Sequence, residues 1–304
     1  MPDIEEISGV AVANIESISG KAIANVAKFG GVTKAASGPG FKTTDLEIWW
    51  RAEEGPYNNP DLINGSHIDI ENLAHTNGYA PTAIQGDHRL LNGSSSNWTT
   101  VGGVDAILLD GVNDNILTRQ VYFGTDPYSE SLGSSNIFYN QWEDMDSFAT
   151  EIWVKAFNAN GAWSSNTNIF SAYLNDGFRM RLSGDSGQIL FPAVQNTSNQ
   201  QSSYNPSPAI YVSTDGEWHQ ICFVVDDVNG TMKVYLDGSL KNTRTFNIGY
   251  DSYVRSTMVI GAYRTSGQEA QKFYIGEYRM YKSKLSDSEV LSNYNGRKTH
   301  YGIT

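Results

Sequence analysis

Cysteine is almost absent from this chain of 304 residues, which contains only Cys222. An intrachain disulfide is therefore impossible. Since extracellular domains often rely on disulfides, we expect the chain to fold in a reducing cytosol. Basic residues are outnumbered, with 21 Lys and Arg against 33 Asp and Glu. The net charge of -12 repels phosphate backbones, so we expect no nucleic-acid partner.

Long apolar runs are missing as well, since no stretch reaches the length that spans a bilayer. The N-terminal MPDIEEISG is acidic and has neither the basic region nor the apolar core of a signal peptide. We therefore expect no membrane insertion, and a chain made in the host cytoplasm without a signal peptide.

Catalytic motifs are equally scarce. None of the five His residues forms a short zinc-ligand pair, and there is no Gly-x-Ser-x-Gly elbow and no phosphate-binding Gly loop. Cys222 lies inside an apolar stretch, where a small core residue is the expected role and a nucleophile is not.

The chain is rich in turn signals between short apolar segments. Gly occurs 29 times, and Asn-Gly and Asp-Gly pairs recur along the chain. The segment from Ile221 to Val225 is apolar at every position, which predicts a strand buried on both faces. Asn229-Gly230 and Asp237-Gly238 predict turns before and after the next strand. The sequence therefore predicts an all-β fold.

A short helix is predicted near the end of the chain. Ser286 and Glu289 have the spacing of a capping box, and Gly296 stands where a helix stop belongs. We expect this helix at about residues 286–294, where it closes the domain.

Eight motifs follow one another in a characteristic order. They are Leu46 to Glu54, Leu109 to Asp114, Phe148 to Lys155, Trp218-His219, Val234 to Gly238, Ile260-Gly261, Gly276 to Tyr281 and Leu285 to Glu289. Their order and spacing resemble the concanavalin A-like, laminin-G-like jelly roll over about residues 44–296. The resemblance implies a two-sheet antiparallel β-sandwich. It implies little about function, because that fold hosts lectins, glycosidases, adhesion modules and virus structural proteins.

Glycosidases of the resembled superfamily place carboxylates at alternating positions of one strand, as in E-x-D-x-E. This chain has no such pattern. Its acidic cluster Glu143-Asp144-Met145-Asp146 precedes a predicted strand, and a solvated turn is the better interpretation. We therefore predict that the protein is not an enzyme.

Calcium is the one cofactor that the sequence suggests. Members of this superfamily often bind calcium, and Asp110, Asn113 and Asp114 offer the oxygen ligands that this ion prefers. Asp226 and Asp227 form a second candidate set. The alternative is that these Asp residues only form turns.

A carbohydrate site would need exposed aromatic rings that stack on sugar faces. Trp163, Tyr204 and Tyr128 lie in polar segments and are the candidate residues. In a chain this rich in aromatic residues, packing in the core or at its rim is the alternative role.

The first residues contain a repeat with a period of 11. IEEISGVAVAN, IESISGKAIAN and VAKFGGVTKAA align over residues 4–36. This period fits a weakly right-handed helical coil, but the Gly in every repeat disfavours a helix and favours short strands with turns between them. The aligned apolar positions, which we predict as assembly contacts, are Ile4, Ile7, Ile15, Ile18, Val26 and Phe29.

One copy of this repeat segment has too few apolar residues for a core of its own, so it needs a partner. We predict an assembly arm at residues 1–36, a linker at 37–43 and the sandwich at 44–304. A floppy tail is the alternative to an arm. The repeats resemble the N-terminal arms of tailed-bacteriophage virion proteins.

These observations lead to a functional hypothesis. We predict a non-enzymatic virion structural protein, either a capsid decoration or a fibre-like appendage, on the exterior surface of the particle. Residues 1–36 would contact other virion proteins or join copies of the chain into a homo-oligomer, with a trimer as the guess. The alternative is a carbohydrate-binding module that recognises host glycans.

Overall fold

The computed structural model divides the chain into two compact units, Met1–Gly40 and Phe41–Thr304, which are considered separately below. The described residues are 6–7, 10–11, 17–18, 21–22, 28–29, 32–33, 41–56, 67–71, 73–77, 88–117, 147–156, 167–172, 177–183, 188–195, 201–202, 210–212, 215–226, 228–245, 259–262 and 272–304.

The first unit contains three short hairpins, one in each 11-residue repeat. The antiparallel pairs are β1 (Glu6–Ile7) with β2 (Val10–Ala11), β3 (Ser17–Ile18) with β4 (Lys21–Ala22), and β5 (Lys28–Phe29) with β6 (Val32–Thr33). Two residues separate the strands of each hairpin, and they are Ser-Gly, Ser-Gly and Gly-Gly. The prediction of short strands over a helix is therefore confirmed.

The described part of the second unit is built from antiparallel strands. In chain order they are β7 (Leu46–Arg51), β8 (His67–Ile70), β9 (His88–Leu91), β10 (Trp98–Val101), β11 (Val104–Asp110), β12 (Asn115–Leu117), β13 (Ser147–Ala156), β14 (Thr167–Ala172), β15 (Gly177–Ser183), β16 (Gln188–Gln195), β17 (Gln201–Ser202), β18 (Ile210–Tyr211), β19 (Trp218–Asp226), β20 (Thr231–Leu236), β21 (Ser239–Thr245), β22 (Val259–Ile260) and β23 (Lys272–Tyr281).

Helices are few in the described residues of this unit. They are α1 (Leu73–Thr76), α2 (Asp287–Asn295) and two 3-10 turns at Ala52–Glu54 and Ser95–Asn97. Of the helices in this described part, none is long and apolar enough to cross a membrane.

The strands form two sheets. The eight-stranded sheet has the order β10-β11-β23-β13-β19-β20-β21, and β7 pairs with β23 beyond the end of β11. The nine-stranded sheet has the order β17-β16-β15-β14-β22-β12-β9-β8, with β18 also paired to β16. This arrangement confirms the predicted two-sheet antiparallel β-sandwich.

The core lies between the two sheets. Strand β19 illustrates this arrangement. Its residues Ile221, Phe223 and Val225 are buried in the same apolar cluster as Ile116 and Ile260 of the nine-stranded sheet. Each fully buried side chain of this size stabilises the fold by about 1.5–3 kcal/mol. The sandwich therefore has a large apolar interior of its own.

The opposite face of the eight-stranded sheet, which we call the outer face, is also covered. Cys222 and Val224 point to this side and are buried with Leu285 and Val290 from the segment that contains α2. The prediction that β19 is buried on both faces is thus confirmed.

The predicted turns and helix are present. Asp237 and Gly238 both have positive φ, 53° and 71°, which the tight turn between β20 and β21 requires. Ser286 caps α2 through the predicted capping box with Glu289. Gly296 follows the helix with a φ of -66°, so the chain leaves α2 without the left-handed residue that usually ends a helix.

Candidate functional site

A groove opens on the outer face, where the segment leading into α2 crosses β19 and β20. Its volume is about 680 Å³. The lining residues are Val224, Asp226, Thr231 and Lys233 from the strands, and Lys284, Leu285, Ser286, Asp287, Ser288 and Glu289 from the crossing segment. Val224 and Leu285 are buried and give the groove an apolar floor.

Two ion pairs cross the groove. Lys284 Nζ donates to Asp226 Oδ2 at 2.6 Å, and Lys233 Nζ donates to Asp287 Oδ1 at 2.7 Å. The Tyr235 hydroxyl donates to the same Asp287 oxygen at 2.7 Å. Half of the Lys284 side chain, 51%, stays exposed. Its ammonium group can therefore donate to a ligand without leaving Asp226.

Helix α2 forms the polar wall of the groove. Ser286 Oγ accepts from the Glu289 amide at 3.2 Å, and the Ser286 amide donates to Glu289 Oε2 at 2.7 Å. This reciprocal pairing fixes the first turn of the helix. It also leaves Ser286 and Ser288 at the surface beside the two ion pairs.

The three carboxyl groups of the groove are held ionised. Partial burial raises the pKa of Asp226, but hydrogen bonds from Lys284 and Asn229 outweigh burial and lower this pKa below its ordinary value. Hydrogen bonds from Lys233 and Tyr235 lower the pKa of Asp287. Burial raises the pKa of Glu289, but the Ser286 amide and Lys42 give a net lowering.

These pKa directions bear on the chemistry of the groove. Glycoside hydrolysis needs a carboxylic acid whose raised pKa keeps a proton available for the leaving oxygen. Asp226, Asp287 and Glu289 are all shifted the other way. The groove offers hydrogen-bond acceptors and ammonium donors above an apolar floor, which is chemistry for binding a hydroxyl-rich ligand.

A buried charge cluster lies beneath α2, at the centre of the outer face. Glu151 on β13 and Arg279 on β23 are register partners, with Arg279 Nη1 3.2 Å from Glu151 Oε2. Asn293 of α2 donates from Nδ2 to both Glu151 oxygens, at 3.1 and 3.0 Å. Arg279 Nε also lies 3.2 Å from Glu277 Oε1. Helix α2 is therefore docked by charge as well as by apolar contact.

The residues of this cluster were not singled out by the sequence analysis. Glu151 interrupts the apolar segment from Phe148 to Val154, and Glu277 and Arg279 interrupt the segment Ile275 to Tyr281. Charged residues inside two buried strands predict an ion pair between the strands only if the strands are neighbours, and the sequence does not give strand order. Once β13 and β23 are known to be neighbours, these interruptions predict an ion pair between Glu151 and Arg279.

Glu151 is the strongest contrast to the groove carboxyls. Burial raises its pKa, although the nearby Arg279 opposes the rise. Its side chain is fully covered, with 0% exposure. Its pKa is shifted in the direction that a general acid needs, but the described residues cover it from solvent.

The residues after α2 complete the cover over the outer face. Tyr301 stacks on Trp153 with ring centroids 4.1 Å apart, and Arg297 Nε donates to Glu277 Oε2 at 2.7 Å. Gly276 makes the slot for Tyr301, because a Cβ on Gly276 would lie 2.5 Å from the ring. Residues 287–304, which we call the C-terminal cover, thus fit the sheet closely.

The predicted calcium residues meet at the turn after β11. Asp110 Oδ1 accepts from the amides of Val112, Asn113 and Asp114, which closes the turn. Asp114 Oδ2 accepts from Asn97 Nδ2 at 2.6 Å. Within the described residues no group of three or more His, Cys, Asp or Glu side chains could hold a metal ion. Calcium binding stays a prediction.

Other predicted positions have different outcomes. Trp163, Tyr204 and Tyr128 lie outside the described residues, as do Asp227 and the cluster at 143–146. Cys222 is buried, and burial raises the pKa of its thiol well above the ordinary value, which confirms the predicted core role.

His219 has a clear structural role. Its Nδ1 lies 2.8 Å from Asp237 Oδ2 and its Nε2 lies 3.2 Å from Asp215 Oδ1. Burial lowers its pKa, but the two aspartates outweigh burial and give a net rise. His219 therefore ties the start of β19 to the turn after β20.

Comparisons with known proteins agree on the fold. A family model described as the concanavalin A-like lectin/glucanases superfamily matches residues 131–291. The chain is similar to the solved botulinum neurotoxin serotype D binding domain, with a TM-score of 0.54 and 14% identity over 84% of this chain and 51% of that one. No curated protein matches the chain.

Two further solved structures have the same likeness. One is the botulinum neurotoxin serotype D ligand binding domain in complex with N-acetylneuraminic acid, with a TM-score of 0.54 and 13% identity over 86% of this chain and 54% of that one. The other is the binding domain of Paraclostridial mosquitocidal protein 1, with a TM-score of 0.53 and 13% identity over 85% of this chain and 55% of that one. The chain spans about half the length of these structures. The likeness shows the fold alone.

Proposed function

Since this chain belongs to the concanavalin A-like lectin/glucanases superfamily, we propose that its sandwich is a non-catalytic module that binds carbohydrate. The observation that carries the proposal is the groove on the outer face. Its ionised carboxylates and exposed ammonium group alternate above an apolar floor. This is the combination that sugar hydroxyls and sugar C–H faces require.

The binding mode follows from the groove residues. Asp226 accepts at Oδ2 from Lys284 and from the Asn229 side chain, and at Oδ1 from the Asn229 amide, which leaves about one of its four acceptor sites for a sugar hydroxyl. Lys284 donates to a neighbouring hydroxyl of the sugar, and the Ser288 hydroxyl at the rim can donate or accept a hydrogen bond. Charge-assisted hydrogen bonds of this kind are the strong ones in sugar recognition, and each pair orients the ring.

The similar solved structures support a binding role without defining a ligand. One of them was solved in complex with N-acetylneuraminic acid. Because this chain covers about half of that structure, the same ligand is not carried over. We propose host surface glycans as the ligand class and the groove as their site. The stacking role of Trp163, Tyr204 and Tyr128 stays a prediction.

A glycan array probed with the full chain, followed by calorimetry with the strongest glycan, tests this proposal. Lys284→Ala and Asp226→Asn each remove one groove contact and are expected to weaken binding roughly tenfold, which corresponds to about 1.4 kcal/mol. Lys241→Ala is the matched control, because Lys241 is an exposed lysine on β21 that does not line the groove. The proposal is overturned if the full chain binds no glycan on the array, or if all three variants bind with the same affinity as the parent chain.

A second, compatible role concerns where the module is displayed. We propose a virion structural protein of a tailed bacteriophage, a capsid decoration or a fibre-like appendage, on the exterior of the particle. The specific observation in favour is the repeat arm, whose three hairpins recur at the repeat period. Repeats of this kind contact a partner, here other virion proteins.

Immunogold microscopy of purified particles tests the virion role, with an antibody raised against the sandwich. Labelling of the particle surface is expected, together with peptides of this chain in the mass spectrum of the same particles. Particles that contain no peptide of this chain would refute the virion role and leave the carbohydrate proposal standing.

A further inference from the structure

The ammonium groups that line the groove already have partners of opposite charge. Lys284 lies 2.6 Å from Asp226, and Lys233 lies 2.7 Å from Asp287. Each pair joins a strand or its end to the segment that leads into α2, so the pairs also hold the two walls of the groove together. A ligand that enters the groove therefore meets closed ion pairs and not a lone positive charge.

Negative charge is in excess at this site. Three carboxylates line the groove against two ammonium groups, because Glu289 is present in addition to the two pairs. Glu289 has its own cation in Lys42, 3.0 Å away, but Lys42 does not line the groove. The lowered pKa values of all three carboxyl groups keep them ionised at neutral pH. The net charge of the chain, -12, has the same sign, so an approaching anion is repelled.

A ligand carboxylate would have to share an ammonium group with a carboxylate of the protein. Lys284 is the more accessible donor, with 51% of its side chain exposed against 33% for Lys233. Two oxygens that accept from one ammonium lie within about 5 Å of each other. A ligand carboxylate on Lys284 would therefore lie beside the carboxylate of Asp226, and like charges at that distance disfavour each other.

An uncharged hydroxyl meets no such obstacle. A sugar hydroxyl can accept a hydrogen bond from Lys284, and another hydroxyl of the same glycan can donate to Asp287, whose side chain is 58% exposed. Both ion pairs stay closed while these hydrogen bonds form. The floor made by Val224 and Leu285 is apolar and suits the C–H face of a sugar ring.

We propose that the groove is specific for neutral sugars and rejects glycans whose contacting sugar carries a carboxylate, sulfate or phosphate group. The proposal rests on the carbohydrate-binding function proposed above and names the class of sugar that the same site takes. The closed ion pairs and the excess of carboxylates are the observations that carry it.

The test compares glycans that differ in one acidic group. An array carries each glycan with and without a terminal N-acetylneuraminic acid, and calorimetry follows with the neutral glycan that binds best and with its acidic form. The neutral form is expected to bind at least about tenfold more tightly. Raising NaCl from about 50 to about 500 mM should change the neutral affinity by less than about twofold. The same salt should strengthen binding of the acidic form, because it screens the repulsion.

A charge variant tests the cause of the specificity. Asp226→Asn keeps the shape of the side chain and removes one negative charge beside Lys284. It is expected to weaken binding of the neutral glycan and to reduce the preference for the neutral over the acidic form at least about threefold. Asp105→Asn is the matched control, because Asp105 is exposed on β11 and does not line the groove. It removes the same formal charge and should keep both the affinity and the preference.

The outcomes separate this proposal from the one on which it rests. If the chain binds no glycan in either form, the carbohydrate function fails and the specificity fails with it. If acidic forms bind as tightly as neutral ones or more tightly, and salt weakens their binding, only the specificity is overturned. An unchanged preference in Asp226→Asn also overturns it, provided that the Trp emission spectrum shows the variant to be folded like the parent chain.

Discussion

Arg279 is the residue whose removal should test the buried charge cluster most directly. It lies between two carboxylates, Glu151 and Glu277, and all three side chains are at most 1% exposed. Replacing it with Met keeps the length of the side chain but leaves Glu151 without a cation. Removing one partner of a buried ion pair typically costs about 3–5 kcal/mol. We expect a loss of that size for Arg279→Met.

Glu151→Gln should behave differently, although it breaks the same contact. Arg279 keeps Glu277 as its counter-ion, and a glutamine oxygen can still accept from Asn293. The variant also removes the cost of burying one carboxylate, which the raised pKa of Glu151 reflects. We expect a smaller loss than for Arg279→Met, because Arg279 keeps Glu277 and no buried charge is left without a counter-ion.

The dependence on pH gives an independent check. In Arg279→Met, the pKa of Glu151 should rise further, since the cation that opposed the rise is gone. A carboxyl whose folded pKa is raised contributes stability at low pH, and this stability is lost as the pH rises through the folded pKa. The deficit of the variant should therefore be largest near about pH 7.5 and smaller near about pH 5.

Urea unfolding followed by Trp fluorescence measures these differences, with each variant compared with the parent chain at the same pH. The reasoning would be refuted by Arg279→Met costing under about 1 kcal/mol, or by Glu151→Gln costing as much as Arg279→Met. A deficit that grows as the pH falls would also refute it.

Two further changes test other contacts. Gly276→Ala puts a Cβ 2.5 Å from Tyr301 and should lower the free energy of unfolding in urea by about 1–3 kcal/mol. The same change made in a Tyr301→Ala background should cost much less, because the ring is no longer there. Equal costs in both backgrounds would contradict the fit of Tyr301 against Gly276. The pKa of His219 is raised from 6.5 by Asp237 and Asp215, so its contribution to stability is present below pH 6.5 and is lost as the pH rises through the folded pKa. His219→Asn should therefore weaken the dependence of the free energy of unfolding on pH above pH 6.5. An unchanged pH dependence would contradict this role of His219.

The fold was largely predictable because its signals are local. The apolar segment at Ile221 to Val225, the turn at Asp237-Gly238 and the capping box at Ser286 and Glu289 each depend on a few neighbouring residues. Turn chemistry and hydrophobic pattern fix such elements before any tertiary contact is known. Their order was enough to identify the superfamily.

The candidate site was not predictable for the opposite reason. The groove joins Asp226 to Lys284, which are 58 residues apart in sequence, and the buried cluster joins Glu151 to Arg279 and Asn293. These residues meet only because β23 inserts beside β13 and α2 folds back over both. A pattern search along one strand, such as the one for alternating carboxylates, cannot find a site assembled across strands.

The C-terminal cover also bears on the choice between binding and hydrolysis. A glycosidase must expose its raised-pKa carboxyl to the sugar. Here Glu151, whose pKa is raised, lies under α2 and is held by Asn293, whereas the groove carboxyls Asp226 and Asp287 have lowered pKa values. Opening the cover would break the Arg297 contact to Glu277 and the stacking of Tyr301. The same elements that stabilise the outer face thus leave the groove at its margin open, and this groove is where we propose that the ligand binds.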